Sequence, residues 1–265
     1  MFFESHAHYD DFRYDVDRDA LLSSMPDAGV DFIINAGADT RSSAYGIKLA
    51  EQYAFVYAAA GVHPHDAKEL TDEKLARIKT MAAHPKVVAI GEIGLDFHYD
   101  HSPRDVQRYW FTRQLDLAME LGMPVIIHSR ESARECCDIV KGYAAKGLRG
   151  VIHCYSGGAE MAMEYAGFNF YVGIGGVVTF PNARQLLNAA EALPMEKILL
   201  ETDCPYLSPA PRRGERNDSR NLRFIAGKLA AIKCIKTEDV AAITKTNAMK
   251  LFFNQKNIAK LLQKC

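Results

Sequence analysis

Residues 124–153, PVIIHSRESARECCDIVKGYAAKGLRGVIH, decide the fold of this chain. Two short apolar runs, one starting at a proline and one at a glycine, enclose a longer stretch that we expect to be helical. A strand, a helix and a second strand form a βαβ unit, in which the two strands lie parallel in one sheet. Each run ends in a histidine, so His128 and His153 fall at the carboxyl ends of neighbouring parallel strands.

The same alternation extends along the chain. Eight runs are too continuously apolar to have one face in water, which is typical of parallel strands buried on both sides. These runs lie at 2–8, 30–37, 55–64, 87–96, 124–130, 150–156, 169–178 and 198–205. We expect helices between and after them, at 17–28, 41–53, 71–83, 104–121, 132–145, 160–166, 182–193, 218–233 and 237–253.

Eight strand–helix units predict a (β/α)8 TIM barrel of the α/β class better than an open doubly wound sheet. An open sheet would offer a G-x-G-x-x-G turn that opens a helix, and this sequence has none. We therefore predict a single TIM-barrel domain over residues 1–253, followed by a C-terminal tail over residues 254–265.

The composition excludes several classes of protein. With a net charge of −1 and a pI of about 6.8, the chain has no global charge that would attract nucleic acid or a membrane. Any polyanion would have to be bound by a local patch or by metal. Six cysteines are too few for a disulfide scaffold, no apolar run is long enough to span a membrane, and acidic residues replace a basic leader at the N-terminus. We expect a cytoplasmic location, no membrane contact and no obligate protein partner.

Residue types that bind metals recur at the ends of five apolar runs. In a TIM barrel the carboxyl ends of all strands meet at one face, so side chains from distant runs can form one site. One such histidine is more often structural, but six suitable residues in this order favour a metal centre. They are His6, His8, Glu92, His128, His153 and Asp203.

Strand geometry divides these residues between two divalent ions. His6 and His8 are two positions apart, so they share one face of a strand and can bind a single ion, which Asp203 completes. The histidines that end the fifth and sixth runs can hold a second ion, and Glu92 can bridge with one oxygen for each. Imidazole and carboxylate ligands suit Zn, Mn or Fe, whereas a pure Mg site would favour more oxygen ligands. The sequence does not fix the identity of the two ions, and Mg, Mn and Zn are the candidates.

Two such ions would perform hydrolysis. They lower the pKa of a water molecule and neutralise the charge that builds on an attacked phosphoryl or carbonyl group. Asp203 is the natural general base, because a carboxylate beside the activated water can take its proton. We therefore expect Asp203 and Glu92 to be the catalytic residues.

Two cysteines directly follow candidate ligands, and their positions give a further prediction. Cys154 and Cys204 come directly after His153 and Asp203, and neighbours on a strand point to opposite faces. We expect both thiols to point away from the site and to be buried.

At these residues the chain resembles the TatD family of metal-dependent deoxyribonucleases, within the amidohydrolase-like metallohydrolase superfamily. The resemblance covers residues 1–253, and it implies a TIM-barrel hydrolase that cuts DNA phosphodiester bonds with the six ligands named above. The motifs that carry it are SHAHYDD (5–11), AGVHPHDA (60–67), AIGEIGLDFHY (89–99), PVIIHSRES (124–132), VIHCYSGG (151–158) and LLETDCPYLSP (200–209).

The chain departs from the family pattern in two places. The first motif has Glu4 and Ser5 before His6 where the family commonly has Asp and Thr. The late loop of the family usually reads Arg-Gly-Lys-x-Asn-Glu-Pro, but residues 213–219 read RGERNDS, in which an acid replaces the usual lysine. The second departure weakens the expectation that this loop holds substrate.

Further polar residues near the strand ends are candidates for substrate contacts. His63 ends the third run and would contact phosphate or the scissile oxygen, unless it is structural beside Pro64. Arg130 lies two positions after His128 and would bind phosphate, although an ion pair with Glu92 or Asp96 is an equal alternative. The full set is His63, His65, Arg130, Tyr155, Arg213 and Asn217.

Glu201, two positions before Asp203, would face inward one layer deeper in the barrel. A carboxylate buried at that depth needs a partner, so we expect it to orient a ligand histidine. Tyr155, in HCYSGG, is as consistent with the aromatic core as with a substrate contact.

Loops beyond the strands add a basic and an aromatic signal. Residues 206–220 hold four arginines against two acids, so this loop could either track a nucleic-acid backbone or be solvated. Four aromatic residues in other loops could stack bases of a single strand, namely Phe12, Tyr14, Phe97 and Tyr99.

The sequence therefore predicts a metal-dependent deoxyribonuclease that hydrolyses DNA through metal-activated water. We expect it to be exonucleolytic and to shorten single-stranded or frayed DNA from an end. A metallohydrolase of small ester, amide or phosphoester substrates is one alternative, because the same centre supports those reactions. Deacylation of aminoacyl-tRNA is another. The non-enzymatic alternative is a nucleic-acid-binding scaffold, whose signature would be a lost ligand.

Overall fold

Eight parallel strands form a barrel in the computed structural model, which describes residues 1–253. The strands follow one another around the barrel in chain order, so each strand pairs with the next. They are β1 (Phe2–Ala7), β2 (Val30–Ala36), β3 (Val56–Ala60), β4 (Val87–Asp96), β5 (Val125–Arg130), β6 (Gly150–Ile152), β7 (Tyr171–Ile174) and β8 (Ile198–Leu200). The barrel closes where Ala7 pairs with Cys204, and the predicted TIM barrel is confirmed.

Helices alternate with the strands as the sequence predicts. They are α1 (Arg18–Ser23), α2 (Thr40–Gln52), α3 (Asp72–Ala82), α4 (Arg104–Leu121), α5 (Ala133–Ala144), α6 (Ala159–Gly167), α7 (Arg184–Ala192), α8 (Leu222–Lys233) and α9 (Thr237–Phe252). Local chemistry fixes several of their ends. The Thr71 side chain accepts a hydrogen bond from the Lys74 amide at the start of α3, and Gly122 ends α4 in the left-handed region.

The amino end of the barrel is closed by the last helix. Phe252 and Phe253 are buried there against Phe3, whose ring lies 6.1 Å from each of theirs. This plug leaves only the carboxyl ends of the strands open for a site. No helix among residues 1–253 is long and apolar enough to cross a membrane, and the predicted tail at 254–265 lies outside the described residues.

The last three strands are shorter than the apolar runs predict. The chain leaves the extended conformation soon after β6 and β8, since Cys154 has φ 46° and Asp203 has φ 56°. Strand alternation therefore does not apply at these positions. The expectation for Cys154 is wrong, because its side chain is partly exposed, whereas Cys204 is buried as expected.

Candidate metal centre

Glu92 lies at the centre of the open end of the barrel, with a side chain that is 4% exposed. One carboxylate oxygen, Oε2, lies 3.3 Å from His6 Nε2 and 3.6 Å from His8 Nε2. The other, Oε1, lies 2.7 Å from His153 Nε2 and 3.0 Å from His128 Nδ1. Each oxygen therefore faces a different pair of imidazoles, as a bridging carboxylate requires.

The first group of ligand atoms comes from β1 and the segment after β8. His6 Nε2 and His8 Nε2 lie 3.1 Å apart, and Asp203 Oδ1 lies 3.7 Å and 3.4 Å from them. Four ligands about 2.1 Å from a tetrahedral ion are separated from one another by about 3.4 Å. The spacing of these atoms therefore fits a divalent ion.

The second group of ligand atoms lies around the other oxygen of Glu92. His128 Nδ1 and His153 Nε2 are 3.2 Å apart, and His63 Nε2 lies 3.4 Å from Oε1. His63 thus belongs geometrically to a cluster that can hold a metal, together with Glu92 and His128. The sequence prediction gave it a substrate contact, with a structural role beside Pro64 as the alternative, because a histidine after β3 gave no indication of how far it reaches.

Two of the histidines are held by hydrogen-bond partners on the ring nitrogen that faces away from Glu92. His8 Nδ1 lies 3.0 Å from the carbonyl oxygen of Ala36, and His128 Nε2 lies 3.1 Å from Asp96 Oδ2. These contacts leave the opposite nitrogens free to bind metal. The role of Asp96 was missed, although its position four residues after Glu92 on β4 places both carboxylates on one face.

The other two candidate ligand histidines have no such partner among residues 1–253. His6 and His153 stack with ring centroids 3.9 Å apart, and within residues 1–253 neither Nδ1 atom forms a hydrogen bond. Glu201 Oε1 lies 3.8 Å from His153 Nδ1 and accepts a hydrogen bond from the backbone of Cys154. Glu201 is fully buried one layer below the ligands, so the prediction that it orients a histidine has a contact to act through.

Two acids of the site, Glu92 and Asp203, are ionised at neutral pH. Burial alone would raise the pKa of Glu92, but its interactions with the imidazoles of His153, His63, His6 and His128 hold it well below its usual range. The pKa of Asp203 is also lowered, because its hydrogen bond to His8 and the nearby imidazoles outweigh its burial. Burial raises the pKa of Glu201 to about 7.

The histidines fall into two classes by the direction in which their pKa values are shifted. Burial, together with His153, lowers the pKa of His6 to about 4, and burial likewise lowers the pKa of His63 to about 4. Burial also opposes charge on His8, but hydrogen bonding to Asp203 and the charge of Glu92 raise its pKa to about 10. The carboxylates thus attract positive charge, and a divalent ion would take the place of the protons.

A ring of polar groups lies outside the two clusters. His65 Nε2 lies 2.9 Å from Asp96 Oδ2, so Asp96 joins His65 to His128. The guanidinium of Arg130 is exposed and lies 4.6 Å from the centre of the Tyr99 ring. Among the described residues Arg130 forms no ion pair, so the alternative of a pair with Glu92 or Asp96 is wrong.

Three residues expected to contact substrate have structural contacts. The buried Tyr155 donates its hydroxyl to the carbonyl of Gly158, at 2.7 Å. Asn217 is fully buried, donates to the carbonyls of Thr202 and Tyr206, and accepts from Asp218 and Asn221. Its polar atoms are thus all used to hold the loop, so it is corrected to a structural residue. Arg213 packs on the ring of Phe180 at 3.8 Å and donates to Ser208.

Three of the four arginines in the late loop, residues 206–220, already form ion pairs within the chain. Arg212, Arg216 and Arg220 form ion pairs at 3.2, 2.6 and 2.7 Å with acids of the chain itself, which are Glu215, Asp17 and Asp218. Such paired arginines leave little charge for a nucleic-acid backbone.

The aromatic candidates divide by exposure. Phe12 is 72% and Tyr99 is 49% exposed, as stacking requires. Tyr14 and Phe97 are buried, so the stacking expectation is wrong for these two. Tyr206, 43% exposed, was missed because it lies beyond the eighth apolar run, in a loop noted only for its charge.

Comparison with known proteins agrees with this geometry. The sequence model of the family described as "TatD related DNase" matches residues 3–253. The chain is 41% identical over 252 residues to "Uncharacterized metal-dependent hydrolase YabD" of Bacillus subtilis, covering 95% of this chain and 99% of that one. It is 35% identical over 245 residues to "3'-5' ssDNA/RNA exonuclease TatD" of Cronobacter turicensis, covering 91% and 93%. The solved structure of YJJV, a TatD homologue from Escherichia coli, is similar with a TM-score of 0.89 and 29% identity, covering 95% and 97%.

Proposed function

The chain belongs to the TatD-related DNase family of metal-dependent hydrolases, and from that premise we propose that it shortens single-stranded DNA from an end by hydrolysing phosphodiester bonds. The proposal rests on one observation about Glu92. Its two carboxylate oxygens face separate groups of imidazoles, at distances that metal ligands have from one another. Two divalent ions, Mg, Mn or Zn, would occupy the two groups.

The ligands proposed for the first ion are His6, His8 and Asp203, and those for the second are His128 and His153, with Glu92 shared. When bound, the ions supply an acidified water and positive charge opposite the phosphate. Asp203 is ionised and its side chain is 15% exposed, so it is positioned to accept the proton of the attacking water. Glu92 acts by fixing the distance between the two groups.

Substrate contacts are assigned to the outer ring of groups. Arg130 has an exposed guanidinium near the second group, and a guanidinium can bind a phosphate through two parallel hydrogen bonds. His63 and His65 line the same side and are proposed to contact the phosphate oxygens or the leaving oxygen. Arg213 is retained only as a long-range positive charge, because its side chain already packs on Phe180.

An exonucleolytic reaction on single strands is supported by the relative from Cronobacter turicensis, whose name gives it a 3'-5' ssDNA/RNA exonuclease activity. That name covers RNA as well as DNA, so RNA is the second substrate to be tested. A cytoplasmic location and the lack of an obligate protein partner stay predictions from the sequence.

The proposal is tested with protein stripped of metal by EDTA and incubated with end-labelled single-stranded DNA. Adding back Mg, Mn or Zn should restore a ladder of products that shortens from one end. If no metal restores cleavage of DNA, the nuclease proposal fails. Parallel reactions with RNA, with aminoacyl-tRNA and with small carboxylic and phosphoric esters then identify which alternative hydrolase the chain is.

The Asp203→Asn variant separates catalysis from binding. Its metal content, measured by inductively coupled plasma mass spectrometry, should largely survive, because five of the six proposed ligands remain. Its turnover of DNA should fall by about a thousandfold or more, since the proton acceptor is lost. A near-normal rate would remove Asp203 from the proposed role, and DNA binding without turnover in the metal-loaded wild type would favour a scaffold.

A further inference from the structure

An exposed aromatic surface lies beside the first group of metal ligands. It consists of Phe12, Arg13 and Tyr206, and we call it the aromatic rim. The guanidinium of Arg13 lies 4.5 Å from the centre of the Tyr206 ring and 5.7 Å from that of Phe12. The Tyr206 ring lies 6.3 Å from the imidazole of His8, so the rim adjoins the proposed site of hydrolysis.

The exposure of Phe12 is imposed by a buried framework. In the same turn Tyr14 is fully buried and donates its hydroxyl to the carbonyl of Asn217 at 2.6 Å. Arg216 donates to the carbonyl of Arg13 at 2.7 Å and pairs with Asp17, which ties the rim to the late loop. Phe12 itself remains 72% exposed on this fixed backbone.

A second anchor holds the same turn from below. Arg18 is 8% exposed and donates to the carbonyls of Tyr9 and Asp11, at 2.6 and 2.9 Å. A large apolar ring held in water on a fixed backbone costs free energy, and a ring that is already positioned loses little entropy when it binds a ligand. These contacts favour a preorganised surface on which a planar ligand group can stack.

The charge of the rim indicates what that partner carries. Arg13 pairs with Asp11 through Nε at 3.8 Å, and the Tyr206 hydroxyl donates to the same carboxylate at 3.3 Å, so the rim carries charges of both signs. The Arg13 side chain is 40% exposed, and within residues 1–253 its terminal nitrogens form no hydrogen bond, so they can donate to an anion. A flat aromatic group with a nearby negative charge is the chemistry of a nucleotide, and bases stack on exposed aromatic side chains whatever their sequence.

We propose that the aromatic rim stacks the base of a nucleotide adjacent to the scissile phosphate and thereby selects single-stranded nucleic acid. The proposal rests on the nuclease function proposed above and names the subsite of that same centre. In a duplex the faces of the bases are covered by their neighbours, so a single strand offers the rim a base that a paired strand does not. Stacking does not depend on the sugar, so the rim accepts DNA and RNA alike.

The test uses the variants Phe12→Ala and Tyr206→Leu, with Tyr109→Ala as the matched control. Tyr109 is 52% exposed and packs on Trp110 of α4. Each rim variant should raise the KM for a single-stranded oligonucleotide about tenfold with little change in kcat, because one stacking contact is lost. The control Tyr109→Ala should have a KM within twofold of the wild-type value. Phe12→Trp, which keeps an aromatic ring at this position, should also have a KM close to that of the wild type.

A matched substrate shows whether the lost contact is with a base. Abasic residues are placed one at a time along the terminal four nucleotides of the oligonucleotide. At the position that the rim binds, the wild type should bind about tenfold more weakly, and the Phe12→Ala penalty should shrink to less than twofold. An equal Phe12→Ala penalty at every abasic position, or a KM for both rim variants equal to that of the wild type, would overturn the proposal.

Binding keeps this test separate from the nuclease proposal. Fluorescence anisotropy of a labelled oligonucleotide is measured with metal-loaded Asp203→Asn protein, with and without Phe12→Ala. A tenfold weaker affinity in the double variant supports the rim even if no metal restores cleavage. An unchanged affinity refutes the rim even if the wild type proves to be a nuclease.

Discussion

At the scale of single residues, the positions of the His8 and His128 imidazoles depend on groups outside the candidate ligand set. Asp96 accepts the Nε2 hydrogen of His128 through Oδ2, and its Oδ1 accepts the backbone amides of His98 and Tyr99. Hydrogen bonds of this kind fix the ring and raise its basicity toward the metal. We therefore infer that Asp96 would position His128 for the proposed second ion.

Asp96→Asn should weaken binding of the second ion selectively. The amide oxygen can still accept the two backbone hydrogens, but its NH2 group cannot accept the Nε2 hydrogen of His128. We expect the affinity for the second ion to fall about 10- to 100-fold, as measured by isothermal titration calorimetry, with the affinity for the first ion little changed. Asp100→Asn, which removes an exposed pair with Arg104, is the control. Equal loss of both ions would contradict this assignment.

Glu4 gives a prediction about stability and pH. It is fully buried, accepts from the amide and hydroxyl of Thr202 at 2.8 and 2.6 Å, and has its pKa raised to about 8 by burial. Between pH 5 and pH 8 the unfolded chain loses this proton while the folded chain keeps it. Stability from Glu4 is therefore fully present below pH 4.5 and is lost as the pH rises toward 8.

The Glu4→Gln variant removes this titration and keeps a side chain of the same shape. In urea unfolding of the EDTA-treated proteins, the wild type should lose stability relative to the variant as the pH rises from 5 to 8. The slope from one such group is at most about 1.4 kcal/mol per pH unit. Parallel curves for the two proteins would show that Glu4 is ionised in the folded state.

The identities of the metal-ligand candidates were predictable from the sequence, but their supporting contacts were not. Strand parity paired His6 with His8, and the position of Asp203 at the carboxyl end of a predicted strand added the third residue. The structure places the ligand atoms of all three within coordinating distance of one another. The carbonyl of Ala36 that holds His8 has no signature in a sequence, because every residue has a carbonyl. The buried role of Asn217 was equally hidden, because loop polarity does not reveal which polar atoms are used inside the protein.

At the scale of elements, β4 and β5 approach closely where the two groups of ligands meet. Gly94 lies in β4 with φ 148°, and a Cβ atom there would lie 1.9 Å from the carbonyl oxygen of His128. The ladder between the strands at this point pairs Gly94 with His128 directly. The glycine therefore sets the distance between Glu92 and the histidine of the second group.

Gly94→Ala should destabilise the protein by about 3 kcal/mol or more, because backbone must move and the dihedral angle is unsuitable for alanine. Gly122→Ala is the control: its φ is 64°, but an added Cβ would contact nothing within 4 Å among the described residues. That change should cost only about 1 kcal/mol. Urea unfolding of the metal-free proteins measures both, and equal costs would refute the steric account.

The elements themselves were largely predictable, with α4 matching from Arg104 to Leu121. The apolar runs overestimated β6 and β8, which end at Ile152 and Leu200. Hydrophobicity continues beyond these strands because the following residues still line a buried space, while their backbone turns to aim His153 and Asp203. Periodicity reports burial, and it does not report where hydrogen bonding between strands stops.

At the scale of the whole molecule, the barrel converts residues far apart in sequence into one site. His6 and Asp203 are joined by the hydrogen bond from the Asp203 amide to the His6 carbonyl, at 3.0 Å, which also closes the barrel. The fold and the metal centre are thus stabilised by the same contacts. This coupling explains why counting strand–helix units was enough to predict both the fold and the place of the site.

Removal of metal should therefore lower the stability of the entire barrel. The buried Glu92 and the partly buried Asp203 would lose their strongest counter-charge when the ions leave, while the unfolded chain binds the ions weakly. Metal at 100 times its Kd stabilises the folded state by about 2.7 kcal/mol, which corresponds to a rise in Tm of roughly 5–10 °C for a chain of this size. Differential scanning calorimetry of EDTA-treated protein, with Mn or Zn added back, measures the effect. Glu92→Ala, which removes the shared ligand, should abolish most of the rise, and a Tm that ignores added metal in the wild type would contradict the proposed centre.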